Sequence, residues 1–154
     1  NRDSKKIISV LDSKSQEHTI LRDSIFPGLI ENLSRNIHES YPQKIFETGS
    51  IFNLDNPISE KTNLAVISAH KDANFTEIKS VLQTALKIGF GIQIETKTAI
   101  NPSFKNGHCA NVIFNKNIVG IIGEIDSKII DNYKIRVPVV GFEISLSDSI
   151  LKSI

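Results

Sequence analysis

Residues 110–125 read Ala110-Asn111-Val112-Ile113-Phe114-Asn115-Lys116-Asn117-Ile118-Val119-Gly120-Ile121-Ile122-Gly123-Glu124-Ile125. Two runs rich in β-branched residues, Ala110 to Phe114 and Ile118 to Ile125, flank Asn115-Lys116-Asn117. That pattern predicts a tight antiparallel hairpin. Gly120 and Gly123 inside the second run predict a bulge or a close approach of another backbone. On the amino-terminal side of this hairpin, Asn101-Pro102-Ser103 breaks the chain, and Ile92 to Lys97 alternates as a half-buried strand does. On the other side, Asp126 is placed to cap a short helix through about Tyr133. Pro138 to Leu146 reads as a last strand, and Asp148 to Ile154 as a final turn or short helix.

A second hairpin lies further upstream. Lys44 to Leu54 alternates, Asp55-Asn56-Pro57 marks a turn, and Leu64 to Ala69 is apolar on both sides, as in a central strand. A helix is predicted from Ser24 to His38. Ser24 can cap its start, and Pro27 falls in the first turn, where a missing N–H costs little. Phe26, Leu29, Ile30, Leu33 and Ile37 form one apolar stripe, and Pro42 prevents continuation. A second helix opens at Asn74, where Glu77 completes the spacing of a capping box. Ile78, Val81, Leu82, Ala85 and Leu86 are expected on its buried face, with Gly89 ending it. Lys6 to Leu11 reads as a first strand and Asp12 to Thr19 as a loop. The resulting order is β, α, β, β, α, β, β, β, α, β. Hairpins outnumber crossovers, so the expected class is α+β: a mainly antiparallel sheet flanked by helices, with the helices on one face.

Composition narrows the function. A chain of 154 residues with 40% hydrophobic content supports one ordinary core, hence a single domain. No apolar run approaches the roughly 20 residues that span a membrane. The net charge is +1, the lysines are scattered, and the arginines are Arg2, Arg22, Arg35 and Arg136. A domain that binds nucleic acid unaided usually carries a clear basic stripe, so that role is disfavoured. Cys109 is the only cysteine, which excludes an internal disulfide and fits a reducing compartment such as the cytoplasm. There is no methionine, so Asn1 is not expected to be a natural start, and the chain is expected to be a piece of a longer one.

Little in the chain points to catalysis. His108 and Cys109 are adjacent, and in a strand they would face opposite ways, which makes them poor joint metal ligands. Neither CxxC nor HExxH occurs, and no serine sits in GxSxG. His18, His38, His70 and His108 fit loop or surface positions. Gly89 and Gly91 follow a helix where a phosphate cradle would precede one. Glu124 and Asp126 are close enough in sequence for acid–base work, yet a strand position and a helix cap account for them. Cys109 reads as a small buried residue.

Six segments are less generic: Leu21-Arg22-Asp23-Ser24-Ile25-Phe26-Pro27-Gly28-Leu29-Ile30, Lys44-Ile45-Phe46-Glu47-Thr48-Gly49, Phe75-Thr76-Glu77-Ile78-Lys79, Asn101-Pro102-Ser103-Phe104, Val119-Gly120-Ile121-Ile122-Gly123-Glu124-Ile125 and Val139-Val140-Gly141-Phe142-Glu143-Ile144. In this order and spacing the series resembles the C-terminal synthetase-like domain of phenylalanyl-tRNA synthetase β chains, from about Lys6 to Leu146. The chain stops soon after its last strand, which resembles the archaeal and eukaryotic type of β chain. The resemblance implies the class II synthetase core fold. It implies a holoenzyme of two α and two β chains, in which the α chain makes phenylalanyl-adenylate from phenylalanine, ATP and magnesium and then loads tRNA. The β domain is implied to copy that fold without chemistry or cofactor of its own and to pack against the α chain. The helix from Ser24 corresponds to the family's dimer-interface helix, so Arg22, Phe26, Pro27 and Leu29 are the expected subunit contacts, with Arg22 placed to pair with an acid across the contact.

The residues offer an independent test of the inactive reading. Adenylate formation builds negative charge on a phosphate, which fixed cations must stabilise, usually bidentate arginines. Class II enzymes place one in the long hairpin and one after the last strand. Here Lys44 to His70 contains no arginine and neither does Gly141 to Ile154. Lys44, Lys61 and Lys152 remain, but a lysine is a point charge without the planar fork. Phe46 and Phe52 in the hairpin are expected to pack. Two rivals stay open: a degenerate adenylating domain using those lysines, and a small-molecule or tRNA-binding module of the same fold.

Overall fold

The long hairpins predicted from periodicity supply four of the six strands. The computed structural model describes residues 8–9, 20–146 and 150. In chain order its elements are α1 (Phe26–Arg35), β1 (Gln43–Asn53), β2 (Ser59–Ala69), α2 (Phe75–Phe90), β3 (Glu95–Thr98), β4 (Phe104–Phe114), β5 (Asn117–Ile125), α3 (Ser127–Asn132) and β6 (Val139–Ser145). The strands form one sheet in the order β1-β2-β6-β5-β4-β3, antiparallel at every pairing. The class is therefore α+β, as expected. The turn between β4 and β5 is tight because Asn115 (φ 49°) and Lys116 (φ 66°) both adopt left-handed backbone, the geometry that matches strand twist.

The expectation of helices on one face is corrected: α1 covers one face of the sheet and α2 the other. The reason lies in β6, whose residues Val139 to Ile144 are all buried. Val139 joins the core beneath α1, with Leu29, Leu33, Ala65 and Ile67. Val140, Phe142 and Ile144 join the core beneath α2, with Ile78, Leu82, Leu86, Val112 and Ile122. A strand apolar on both sides needs cover on both faces.

Local differences follow from the same packing. The α2 helix buries Ile78, Leu82 and Leu86, while Val81 and Ala85 turn outward, so its buried stripe is narrower than expected. It runs past Gly89 to Gly91, whose φ of 68° lets its N–H reach Lys87 O (3.0 Å) and the N–H of Ile92 reach Leu86 O (3.2 Å). Ile92 and Ile94 are buried ahead of β3, which begins only at Glu95. The α1 helix ends at Arg35, short of His38. The predicted strand at Lys6 to Leu11 lies largely outside the described residues; Ser9 within it bridges Ile20. The loop Asp12 to Thr19 and, apart from Ile150, the segment Asp148 to Ile154 also lie outside them.

Two glycines make room for the aromatic rings on the α1 face of the sheet. Gly123 and Gly141 are cross-strand partners on β5 and β6. A Cβ on Gly141 would come within 2.6 Å of Val66 O and 2.8 Å of the Phe26 ring; one on Gly123 would come within 2.6 Å of the Phe104 ring. The bare backbone thus seats Phe26 and Phe104, whose rings meet edge to face at 5.7 Å. Gly141→Ala should destabilise the fold by about 1–3 kcal/mol through overpacking. Gly28→Ala, on the open side of α1 with nothing within 4 Å, should stabilise it by up to about 1 kcal/mol. Urea unfolding of the two variants checks the contrast; a neutral Gly141→Ala would refute the seat.

Candidate functional site

The start of α1 is built across the fold. Its N-cap position, Ile25, makes no side-chain cap, so the expected local cap by Ser24 is only part of the arrangement. The carboxylate of Glu143, on β6, lies beneath the first turn. It accepts from Ser24 Oγ (2.7 Å), Ile25 N (3.1 Å), Phe26 N (3.3 Å) and Asn63 Nδ2 (2.7 Å). Ser24 Oγ in turn accepts from Phe26 N at 3.3 Å. Glu143 and Asn63 are each only 6% exposed, so strand β6, strand β2 and helix α1 are tied at a buried point. A helix start leaves N–H groups without partners and carries partial positive charge, and a carboxylate answers both.

Beside this point opens a cleft of about 880 Å³. One wall is the start of α1, with Asp23, Phe26, Pro27 and Ile30. The floor is the sheet, with Asn63, Asn111, Ile121 and Glu143, and the far wall is Ser103, Phe104, Ile129 and Tyr133. Among the described residues, no lysine, arginine or histidine lines it. Lys44, one of the cations considered above, reaches Glu77 (3.5 Å) on the α2 side of the sheet. Lys152 lies outside the described residues.

The expected interface residues are placed as follows. Phe26 and Leu29 are buried in the chain's own core, while Pro27 is exposed. Arg22 pairs with Glu47 and donates to Ser50 O (2.8 Å), both on β1; a Cβ on Gly49 would collide with its guanidinium. Its acidic partner is therefore within the chain. Phe52 N donates to Arg22 O (2.8 Å), so the chain at Arg22 runs along the outer edge of β1. There a smaller groove of about 610 Å³ lies between Ile20, Leu21, Pro27 and Phe52. Phe46 does not pack as expected: it is 73% exposed, on the side of α2 but beyond its reach.

On that opposite face two glutamates hold the start of α2. Asn74 caps it by accepting from Glu77 N (3.0 Å), but the Glu77 carboxylate turns away, to His70 Nε2 (2.7 Å). Glu124, from β5, accepts from Phe75 N (3.1 Å) and pairs with Lys105 (3.2 Å) and His108 (3.0 Å). His70 and His108 are thus structural partners of carboxylates, and His38 is exposed. Asp126 caps α3 by accepting from Lys128 N (2.9 Å). Cys109 packs beneath α1, on the face opposite His108, and burial pushes its thiol pKa up. Among the described residues, no three metal-binding side chains converge, and no helix is long and apolar enough to cross a membrane. Glu143, which organises the site, was not singled out from sequence; its one signal is a lone acid in an otherwise apolar strand.

Two predictions follow from these carboxylates. Glu143→Ala removes the acceptor of three buried donors and of the half-buried Ser24 hydroxyl and should cost about 3–5 kcal/mol, readable by thermal and urea unfolding, whereas Ser24→Ala should cost about 1 kcal/mol. Burial raises the Glu77 and Glu124 carboxyls, but His70 with Lys44, and Phe75 N–H with Lys105 and His108, outweigh it, so both sit below the usual value. A folded value below the unfolded one, about 4.3, stabilises above that pH and is lost as pH falls through the folded value. The urea midpoint should drop on acidification, and the double variant Glu77→Gln/Glu124→Gln should flatten that drop. An unchanged acid limb would exclude these two groups as its source.

Comparison with known proteins gives this geometry a context. Residues 1–146 match the family model described as the phenylalanyl tRNA synthetase beta chain CLM domain. Phenylalanine–tRNA ligase beta subunits from Pyrococcus abyssi and Methanocaldococcus jannaschii are each 38% identical to the chain. They align over 92% and 90% of it and over 26% of their own length. The beta subunit from Thermococcus kodakarensis is 35% identical over 92% of the chain and 25% of its own length. The chain thus spans about a quarter of these relatives. A solved pyrrolysyl-tRNA synthetase from Desulfitobacterium hafniense superposes with a TM-score of 0.69 at 18% identity, over 92% of the chain and 51% of its own. That likeness identifies the fold as class II synthetase-like. The chain belongs to the phenylalanyl-tRNA synthetase β-chain CLM domain family.

Proposed function

We propose that this chain is a non-catalytic core domain of a phenylalanine–tRNA ligase β subunit. In this reading it packs against the catalytic α subunit and helps assemble the αβ heterotetramer that charges tRNA with phenylalanine in the cytoplasm. ATP and magnesium belong to the holoenzyme and act at the α subunit.

The observation that carries the inactive role is the cleft. A triphosphate held for adenylation needs fixed cations around its reacting phosphate, and each missing donor costs about 3–4 kcal/mol of transition-state stabilisation. This cleft has none among the described residues, and its floor holds the buried acid Glu143. The same acid fixes α1, so its carboxylate is engaged in anchoring the helix. The groove beside Pro27 supports the packing role, since it joins the outer side of α1 to the edge of β1 and Ile20 within it is 50% exposed. Among the four expected contact residues, Pro27 would touch the partner directly. Phe26 and Leu29 would set its position from beneath, and Arg22 would hold the edge in place through Glu47.

Co-expression with an α subunit tests this. The chain should co-elute with it, and Ile20→Asp or Pro27→Asp should weaken the complex about tenfold or more, as loss of an interface anchor does, without changing the melting temperature. A well-folded chain that forms no complex would refute the packing role. Calorimetry with ATP should give no binding tighter than millimolar; tighter binding would favour the degenerate adenylating reading. Binding of tRNA without the α subunit, falling steeply with salt, would favour the RNA-binding reading.

A further inference from the structure

Helix α2 covers only part of its face of the sheet. Phe46 on β1 pairs with Val66 on β2, and Val66 pairs with Phe142 on β6, in the core beneath α2. Phe142 is fully buried, Val66 is half-buried and Phe46 is 73% exposed. The β1–β2 hairpin therefore extends past the helix as an open floor. The helix supplies a wall beside it. Glu77, in the first turn of α2, reaches Lys44 on β1 (3.5 Å), so that flank of the helix looks toward β1. Residues three and four apart share a helix flank. The row begun by Glu77 continues as Val81, Ala85 and Ile88, all exposed, Ile88 by 81%. Single exposed apolar residues are ordinary, but an apolar floor that meets an apolar wall marks an interaction surface.

Charge selects the occupant. Strand alternation gives this face of the hairpin two charged side chains, Lys44 near the start of β1 and Glu60 at the far end, opposite Phe52. Midway between them Thr48 and Leu64 are cross-strand partners. A two-fold axis over that midpoint lays two copies antiparallel and sets Lys44 of each beside Glu60 of the other. The surface is thus complementary to itself in charge as well as in apolar content. We propose that this floor and wall are the contact surface for a second copy of the chain, in a symmetric dimer about the Thr48–Leu64 midpoint. The strip is about 27 Å long and about 10 Å wide. Even with the flank of α2 it gives each copy less than the ~800 Å² of a standard interface, so association through this face alone is weak, micromolar or above. The inference goes beyond the assembly role and does not depend on it, because the groove beside Pro27 belongs to α1, on the other face.

Analytical ultracentrifugation of the full chain from micromolar to millimolar concentration tests this. The average mass should climb from one chain toward two. Phe46→Lys and Ile88→Lys alter side chains that the chain's own fold leaves exposed. Each should keep the melting temperature and raise the dissociation constant about tenfold or more. Glu60→Lys should weaken the dimer, and adding Lys44→Glu should recover it, a rescue that only an antiparallel second copy predicts. Should the double variant not fold, the two lysine variants still decide. Ile20→Asp and Pro27→Asp should leave self-association unchanged, which separates this surface from the groove beside Pro27. A chain that stays monomeric at millimolar concentration, a dimer untouched by Phe46→Lys and Ile88→Lys, or a folded double variant without recovery would each overturn the proposal. Loss of α-subunit co-elution on Phe46→Lys, in a chain that does not self-associate, would overturn it in favour of that subunit as the occupant.

Discussion

Glu143 is a buried acid whose hydrogen-bond partners are all neutral, and the arrangement of α1 depends on it. A buried charge is tolerated only when its lone pairs are filled, and here the start of a helix, a serine and an asparagine fill them. The consequence is geometric. Strand β6 sits at the centre of the sheet between β2 and β5, so whatever is tied to its carboxylate is tied to the centre. The first turn of α1 is fixed over that point, and the Phe26 ring can then settle on the bare backbone of Gly141.

The other face repeats the device. Glu124, one strand away on β5, holds the start of α2 through Phe75 N, with Lys105 and His108 beside it. Helices on opposite faces are therefore both registered to the middle of one sheet by a glutamate reaching a helix start. The two differ in one respect that matters. Glu124 is surrounded by basic groups on a partly open surface, whereas Glu143 is sealed with neutral donors. The face under α1 is in consequence the acidic, sheltered one, and it is the face that carries the cleft.

That difference connects the fold to the absence of arginine in the hairpin. A class II synthetase-like sheet can present a site for a charged phosphate only if cations converge on it. In this chain the hairpin contributes Glu47 to an ion pair with Arg22, Asn63 to the Glu143 network and Lys44 to the opposite face. The polar groups of the hairpin work to hold neighbouring elements, and the cleft that remains is walled by isoleucine and aromatic rings.

The hairpins and helices were legible in the sequence, because strand alternation, helical spacing and turn residues act over a few neighbours. The cap at Asn74, the cap at Asp126 and the Asn115-Lys116 turn are each local hydrogen-bond or backbone choices. The close approach at Gly123 was one of the two readings open for a glycine inside an apolar strand, the other being a bulge. The segment Pro138 to Leu146 reads only as a last strand, with the helices expected on one face; the burial of Val139 to Ile144 on both sides emerged from the structure, because the periodicity of the helices does not say which face each one takes. The roles of Glu143 and Arg22 were not legible. Glu143 meets Ile25 across 118 positions and Arg22 meets Glu47 across 25. No local pattern encodes such pairs, because they exist only once strand order brings β6 beside β2 and lays the chain before α1 along β1. Sequence alone indicated the described elements, though not all their ends, and the missing arginines; tertiary structure decided which acid anchors which helix, and so what kind of cleft is left between them.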